Sequence, residues 1–485
     1  MNGWPYAKLG EVTIKVGSGA TPRGGKASYK ETGTALIRSM NVHFGGFKYE
    51  GLVHLDESQA RALDAVEVRA NDVLLNITGA SIGRVTLAPG RMDGARVNQH
   101  VCIIRPSPKL DPSFLRWYLA SPAQQKLIMD VESGATRQAL TKEKILTMDV
   151  PIPPLRTQHQ VADEVERQFS RLDEAVANLK RVKANLKRYR AAVLKAAVEG
   201  RLVPTEAALA RREGRTYETG EQLLAHILKE HRAAWETEAP RGRKMKYVEP
   251  MSPDTTSLPE LPEGWVWANV TQLLRESMIN GLSIKGSSTP PGVAALKLSA
   301  MTDHGFDYRL VRFLPIQRSD ATDIFVEQGD FFISRGNGSL ALVGRGTLAQ
   351  VPNIEVIFPD TMMRLRLHSL ARDPYWLPTI WPSRWIRRQI ERRVKTTAGI
   401  YKIAQPQVAS IIIPLPPIAE QRRIVAEVER RLSMADEMEA QADASLRRAE
   451  RLRQAILKRA FEGRLTMGGL SDESDVSDAS DASDS

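Results

Sequence analysis

The sequence predicts an α+β chain built by internal duplication, with two mixed α/β globular parts alternating with two long helices that pair as an antiparallel coiled coil. Three observations predict this. Pro151 to Leu202 aligns without a gap on Pro414 to Leu465, at a constant offset of 263 and with 22 identities in 52 positions. Within both blocks, core positions recur every seventh residue. The stretches before the blocks break instead into short apolar runs separated by Gly and Pro, the pattern of strands and turns.

The chain has 485 residues, enough for about three domains at the usual ~150 residues each. Hydrophobic residues make up 42% and charged residues 26%, which excludes a wholly disordered or collagen-like chain. Lys and Arg number 68 against 57 Asp and Glu, a net charge of +11. The acidic end, with Asp472, Glu473, Asp475, Asp478, Asp481 and Asp484, carries no base, so the rest is more basic still. Such a body suits an anionic partner, most often nucleic acid, or is merely basic and soluble. Cys102 is the only cysteine, so no intrachain disulfide and no multi-cysteine zinc site is expected, as in a reducing cytoplasm. No signal peptide or membrane span is expected either.

The order of parts follows from the repeat: a globular part over 1–150, a helix over 151–203, a helical and irregular linker over 204–262, a second globular part over 263–413, a second helix over 414–467, and an acidic tail over 468–485. The globular copies have diverged, but Gly3-Trp4 and Gly264-Trp265, Gly83-Arg84 and Gly344-Arg345, and Asp111-Pro112 and Asp373-Pro374 keep their order. In each, a strand, a glycine turn and a strand are expected: Val73 to Ile77, Gly79 to Gly83 and Arg84 to Leu87 in the first. Phe331 to Ser334, Gly336-Asn337-Gly338 and Leu340 to Gly344 repeat them in the second.

The helix core is expected at Val165, Leu172, Leu179, Leu186 and Val193, and at Val428, Ala435, Ala442, Ala449 and Ile456. A helix of about 40 residues is about 60 Å long, a coiled-coil length. Centred antiparallel pairing sets Leu172, Leu179 and Leu186 opposite Ala449, Ala442 and Ala435, large side chains against small. The basic cluster Lys180, Arg181, Lys183, Lys187, Arg188 and Arg190 reads either as an acidic-partner surface or as a solvated face.

Catalytic signatures are missing. Gly79-Ala80-Ser81-Ile82-Gly83 fits G-x-S-x-G, but a nucleophile elbow needs a helix after the turn, and Arg84 to Leu87 reads as strand. There is no P-loop, no H-E-x-x-H site and no Asp-x-Lys or Glu-x-Lys triplet. The chain reads as one that binds, without an enzyme active site of its own.

The two-copy pattern resembles the specificity subunits of type I restriction-modification systems. The resemblance rests on PIPPLRTQHQVADEVERQFSRLDEAV with EGRL and PLPPIAEQRRIVAEVERRLSMADEM with EGRL, on the linker from Thr219 to Leu224 and from Leu258 to Trp265, and on Gly19-Ala20-Thr21-Pro22, Ile37-Arg38-Ser39 and Asn98-Gln99-His100. It runs from about residue 2 to residue 467 and leaves the tail outside. Thr157-Gln158 departs from the family's Glu-Gln, which the second copy keeps as Glu420-Gln421.

The resemblance implies two target recognition domains, one per half of a bipartite double-stranded DNA target. It also implies a non-catalytic subunit that joins two adenine methyltransferase (modification) subunits, with restriction/translocase subunits added. S-adenosylmethionine, ATP and magnesium would then sit on those partners, with no cofactor, metal or small-molecule substrate in this chain. DNA-contact candidates, chosen by chemistry, are Arg38, Asn41, Thr78, Ser81, Arg84, Asn98, Gln99, His100 and Arg137 in the first copy, and Lys297, Arg335, Asn337, Ser339, Arg345 and Lys402 in the second; Arg suits guanine and Asn or Gln adenine. At each, a plain hairpin or turn role is the alternative. Glu164, Arg167, Glu427 and Arg430 are candidate contacts for the methyltransferases, or braces of the helices. The rival reading is a coiled-coil structural or regulatory protein that homodimerises.

Overall fold

The computed structural model describes residues 3–22, 25–130, 140–238, 247–397, 399–462 and 464. The two heptad-patterned blocks form helices of 44 residues each, Leu155–Val198 and Ile418–Phe461. Each begins just past its prolines, and the same glutamine secures each start: Gln158 Nε2 donates to the Pro153 carbonyl and Gln421 Nε2 to that of Pro416, both at 2.8 Å. The first helix stops at Gly200, whose φ of +65° favours glycine, with Arg201 N donating back to the Ala196 carbonyl at 2.9 Å.

The chain forms two compact units, Met1–Arg181 with Ala442–Ser485, and Val182–Gln441. Each therefore contains one globular part and stretches of both long helices.

In the first unit an antiparallel four-stranded sheet runs in the order Thr13–Ser18, Val101–Pro106, Val73–Asn76, Val85–Leu87. Its second strand pairs Ile103 with Leu74, and its third pairs Leu75 with Val85. A smaller mixed sheet sets Thr34–Ile37 between Val53–Leu55 and Arg96–Val97. A short hairpin, Val42–His43 with Gly46–Phe47, packs on the Val85–Leu87 strand. The helix Pro112–Ala120 buries Phe114, Leu115 and Trp117 in a core that also takes Val165, Phe169 and Leu172 from the first long helix and Ala449, Ile456 and Leu457 from the second.

The second unit repeats this order. Its four-stranded sheet runs Ile279–Asn280, Met362–Leu365, Phe331–Ser334, Gly346–Leu348, and its hairpin is Met301–Thr302 with Gly305–Phe306. The strand expected over Leu340 to Gly344 is instead a 3-10 turn, Leu340–Leu342. Three more residues separate Ser334 from Gly344 than separate Asn76 from Gly83, so the pairing strand starts at Gly346. The linker forms two helices, Glu206–Glu213 and Gly220–Glu238, and Leu223, Leu224 and Ile227 of the latter join the core with Trp265 and Trp376.

Of the ten expected core positions on the long helices, Leu179 is half-buried and the other nine are buried. Within the second unit, Lys183 Nζ lies 3.5 Å from Glu439, and Arg190 bonds Glu439 and Asp436 at 2.6 Å each. In the first unit Arg453 pairs with Asp173, and its guanidinium lies 4.9 Å from the centre of the Phe169 ring.

Candidate nucleic-acid interface

In the first unit, three segments distant in sequence meet at the glycine turn. Gln99 can only donate through its amide nitrogen, so the His100 Nε2 that it meets at 3.1 Å accepts. The imidazole proton then lies on Nδ1, which donates to Thr78 Oγ1 at 2.5 Å. Thr21, in the Gly-Ala-Thr-Pro segment, donates to Gln99 Oε1 and ends the chain. Thr78, Gln99 and His100 are thus brought together on an accessible polar surface.

Asn98 and Asn41 are placed differently. Asn98 is buried and accepts from the His100 backbone at 3.1 Å, shaping the loop. Asn41 is fully buried; it accepts from Arg38 N at 3.0 Å and donates to the carbonyls of Lys48 and Glu50 at 2.8 and 3.3 Å. All of its amide is spent on the base of the hairpin, and none is left for a base edge.

Arg38 reaches the Gly51 carbonyl and stands 5.5 Å from the Tyr29 ring centre. Ser81 is half-buried within the 3-10 turn Gly79–Ser81, and its carbonyl accepts from Arg84 N. Among the described residues, the half-exposed Arg84 guanidinium has no hydrogen-bond or ion-pair partner. Arg137 lies outside the described residues.

In the second unit the hairpin aligns without a gap on that of the first, so Lys297 stands where Arg38 does and Asp303 where Phe44 does. The exposed Lys297 lines a cleft with Ser283, Lys285, Arg312, Asp360 and Thr361. Arg335 borders that cleft through a 3.3 Å bond to the Asp360 carbonyl. Asn337 and Lys402 are brought together by pairing of Gly336–Asn337 with Ile400–Lys402. Asn337 also caps its own turn by accepting from Ser339 N at 3.0 Å, which leaves the exposed Ser339 at the tip. Arg345, the counterpart of Arg84, is held by Asp303 at 2.6 and 2.9 Å and by the Met301 carbonyl at 3.1 Å.

Comparison with known proteins bears on this arrangement. Residues 1–188 match the family model for the type I restriction modification DNA specificity domain. Over 96% of its length the chain is 25% identical to the EcoKI specificity subunit of Escherichia coli K12, covering 89% of that protein. It is 23% identical to the StySPI specificity subunit of Salmonella potsdam, again over 96% of this chain and 89% of that one.

Residues 1–188 thus match a type I DNA specificity domain, and the chain is similar over 96% of its length to type I specificity subunits. Its fold is shared with a solved chain from work on complex assembly and conformational transition of the type I R-M system, at a TM-score of 0.62 and 20% identity, covering 96% of this chain and 99% of the other. The HsdS subunit of Thermoanaerobacter tengcongensis aligns at a TM-score of 0.54 and 18% identity, covering 96% and 97%. Among the described residues, no helix is long and apolar enough to cross a membrane.

The four helix candidates are spent largely on the chain itself. Glu164 pairs with Arg167 and accepts from Gln168 at 2.7 Å, and Glu427 accepts from Arg430 and Arg431 at 2.6 to 2.9 Å. Those bonds hold the Glu427 carboxyl down at about 2. All of these are contacts within one turn of the helix that carries them.

Several functional and bracing groups escaped sequence reasoning. Arg105 grips the buried Asp72 through two 2.7 Å bonds, and Arg366 grips the buried Asp330 in the same sheet position of the second unit. Lys285, Arg312 and Thr21 also join the candidate surfaces only in the folded chain. The signal that could have found the two bridges is the repeat itself, since Asp72 and Asp330, like Arg105 and Arg366, keep nearly one offset.

Proposed function

We propose that this chain is a specificity subunit that reads a bipartite double-stranded DNA target, one half-site per unit, and directs two adenine-N6 methyltransferase subunits and the restriction/translocase subunits to it. In this reading the long helices form an antiparallel coiled coil that spaces the two readers and frames the docking of the modification subunits. S-adenosylmethionine, ATP and magnesium are supplied by those partners in the cytoplasm, and this chain performs no catalysis.

The observation that carries the reading is a single framework used twice with unlike side chains at its rim. Arg38 becomes Lys297, Phe44 becomes Asp303, and an Arg84 without a partner among the described residues becomes an Arg345 bound to Asp303. A duplicated scaffold with exchanged rim chemistry suits recognition of two different half-sites. The rival, a homodimerising coiled-coil protein, does not account for that exchange.

The test is to co-express the chain with its neighbouring methyltransferase and map N6-methyladenine in the host DNA. The expected result is methylation at a two-part motif with a fixed gap. A homodimer of this chain alone, with no methyltransferase bound and no motif, would refute the reading.

A further inference from the structure

The hairpin of the first unit presents large apolar side chains to solvent. Phe44 at its tip is 41% exposed, Met40 at its base 46%, and Tyr49 just beyond it 47%. These side chains stand on a rigid support. Asn41 ties down both flanks, Asn76 Nδ2 donates to the Ser39 carbonyl at 2.9 Å, and Arg116 Nη2 donates to the Phe44 carbonyl at 3.0 Å. Phe47 meets Tyr49 edge to face at 5.0 Å. The whole packs on the strand that follows Arg84.

The charge around this tip is mostly positive: Arg38, Lys48 and Arg84, which has no partner among the described residues, with Glu50 on the outer flank. The second unit shows that an arginine at the place of Arg84 reaches a hairpin tip, because Arg345 bonds Asp303 there. That unit has Asp303 and Ser299 where the first has Phe44 and Met40, so the apolar tip is no requirement of the shared fold. An apolar point ringed by cations complements a polyanion with an apolar interior, which describes stacked DNA.

Resting on the DNA-recognition reading, we propose that Phe44, with Met40 beside it, is a wedge that enters duplex DNA between two stacked base pairs. The first unit then reads its half-site partly through how readily one step unstacks, while the second, with the Asp303–Arg345 pair at the same place, reads by hydrogen bonding.

The test uses the full chain in complex with its methyltransferase and a duplex of the methylated motif, with 2-aminopurine placed in turn at each position of the half-sites. The wild type is expected to raise the fluorescence at one step of one half-site. Phe44→Ala should abolish that rise and weaken binding about tenfold, roughly 1.4 kcal/mol, and Phe44→Trp should keep both. A one-nucleotide bulge at the same step should return Phe44→Ala to near the wild-type affinity, a rescue that a merely structural role would not produce. A folded Phe44→Ala with wild-type fluorescence and affinity overturns the proposal. So does a Phe44→Ala that loses the methyltransferase while keeping DNA, since the tip would then be a protein contact. If the wild type itself prefers no duplex, the DNA reading falls, an outcome separated from the others by that control.

Discussion

Arg190 closes onto Asp436 at 2.6 Å, and their counterparts in the repeat, Arg453 and Asp173, close onto each other as well. Each arginine is 263 positions from the other, as is each aspartate. Both bridges join the first long helix to the second, one within each unit. Each of the two aligned blocks therefore supplies one arginine and one aspartate, and together they make two matched clasps.

Removing one clasp should have a small, measurable effect, because both partners are partly exposed. Arg190→Ala is expected to lower stability by about 0.5–1 kcal/mol in urea unfolding. Because Arg190 also bonds Glu439, a cycle of Arg190→Ala with Asp436→Ala should return only part of that loss as coupling.

The buried bridges should matter more. Asp72→Ala leaves Arg105 without its carboxylate and is expected to cost about 3–5 kcal/mol, read as a lower urea midpoint. Asp330→Ala should be milder, since Arg366 also has Glu327 at 2.7 Å and Glu276 at 3.6 Å.

Glu420, at the start of the second long helix, and Glu206, at the start of the linker helix that meets it, are buried glutamates shifted in opposite senses. Burial pushes Glu420 up, against a 2.8 Å hydrogen bond from Glu206 N. Burial acts on Glu206 too, but 2.6 Å bonds from Arg423 and Arg215 outweigh it and hold that carboxyl down. A raised carboxyl favours folding at low pH and loses that contribution as pH rises through its folded value; a lowered one does the reverse. Glu420→Gln should therefore be more stable than the wild type at pH 7, with the gap closing on acidification. Below the ordinary carboxyl value of 4.5 Glu420 is protonated folded and unfolded alike, so the acid loss from Glu206 should run in parallel in the two proteins, which differ only above it. Denaturation midpoints across pH 3 to 8 check both.

Arg84 and Arg345 should separate by their partners. Arg84→Ala is expected to relax the methylation motif at one base pair, a loss of about 1–3 kcal/mol in discrimination. Asp303→Ala frees Arg345, and should steepen the salt dependence of binding to random duplex by about one phosphate contact, a slope change of roughly 0.9. Binding isotherms at several salt concentrations report the second effect.

The long helices were legible because seven-residue spacing survives in a stretch that no Gly or Pro interrupts before Gly200. The glycine turns were legible for the same local reason, although the insertion before Gly344 moved one strand. Asn41 was misplaced because its chemistry suits adenine as well as it suits three backbone groups, and burial decides between them. The Asp72 and Arg105 bridge spans 33 residues with no periodic signal, and exposed Phe44 looked like any hairpin residue. Such features depend on which strands become neighbours, and composition does not carry that.

The Phe461 ring lies 5.3 Å from both Phe114 and Tyr118 in the first unit. Ribosomal synthesis delivers those two aromatics hundreds of residues before it delivers their partner. The first globular part thus leaves the exit tunnel with an open apolar seat, and the closing turns of the second helix, made hundreds of residues later, are what fills it. A nascent chain stopped short of them would expose that seat, so the first unit matures only once the second long helix has been made.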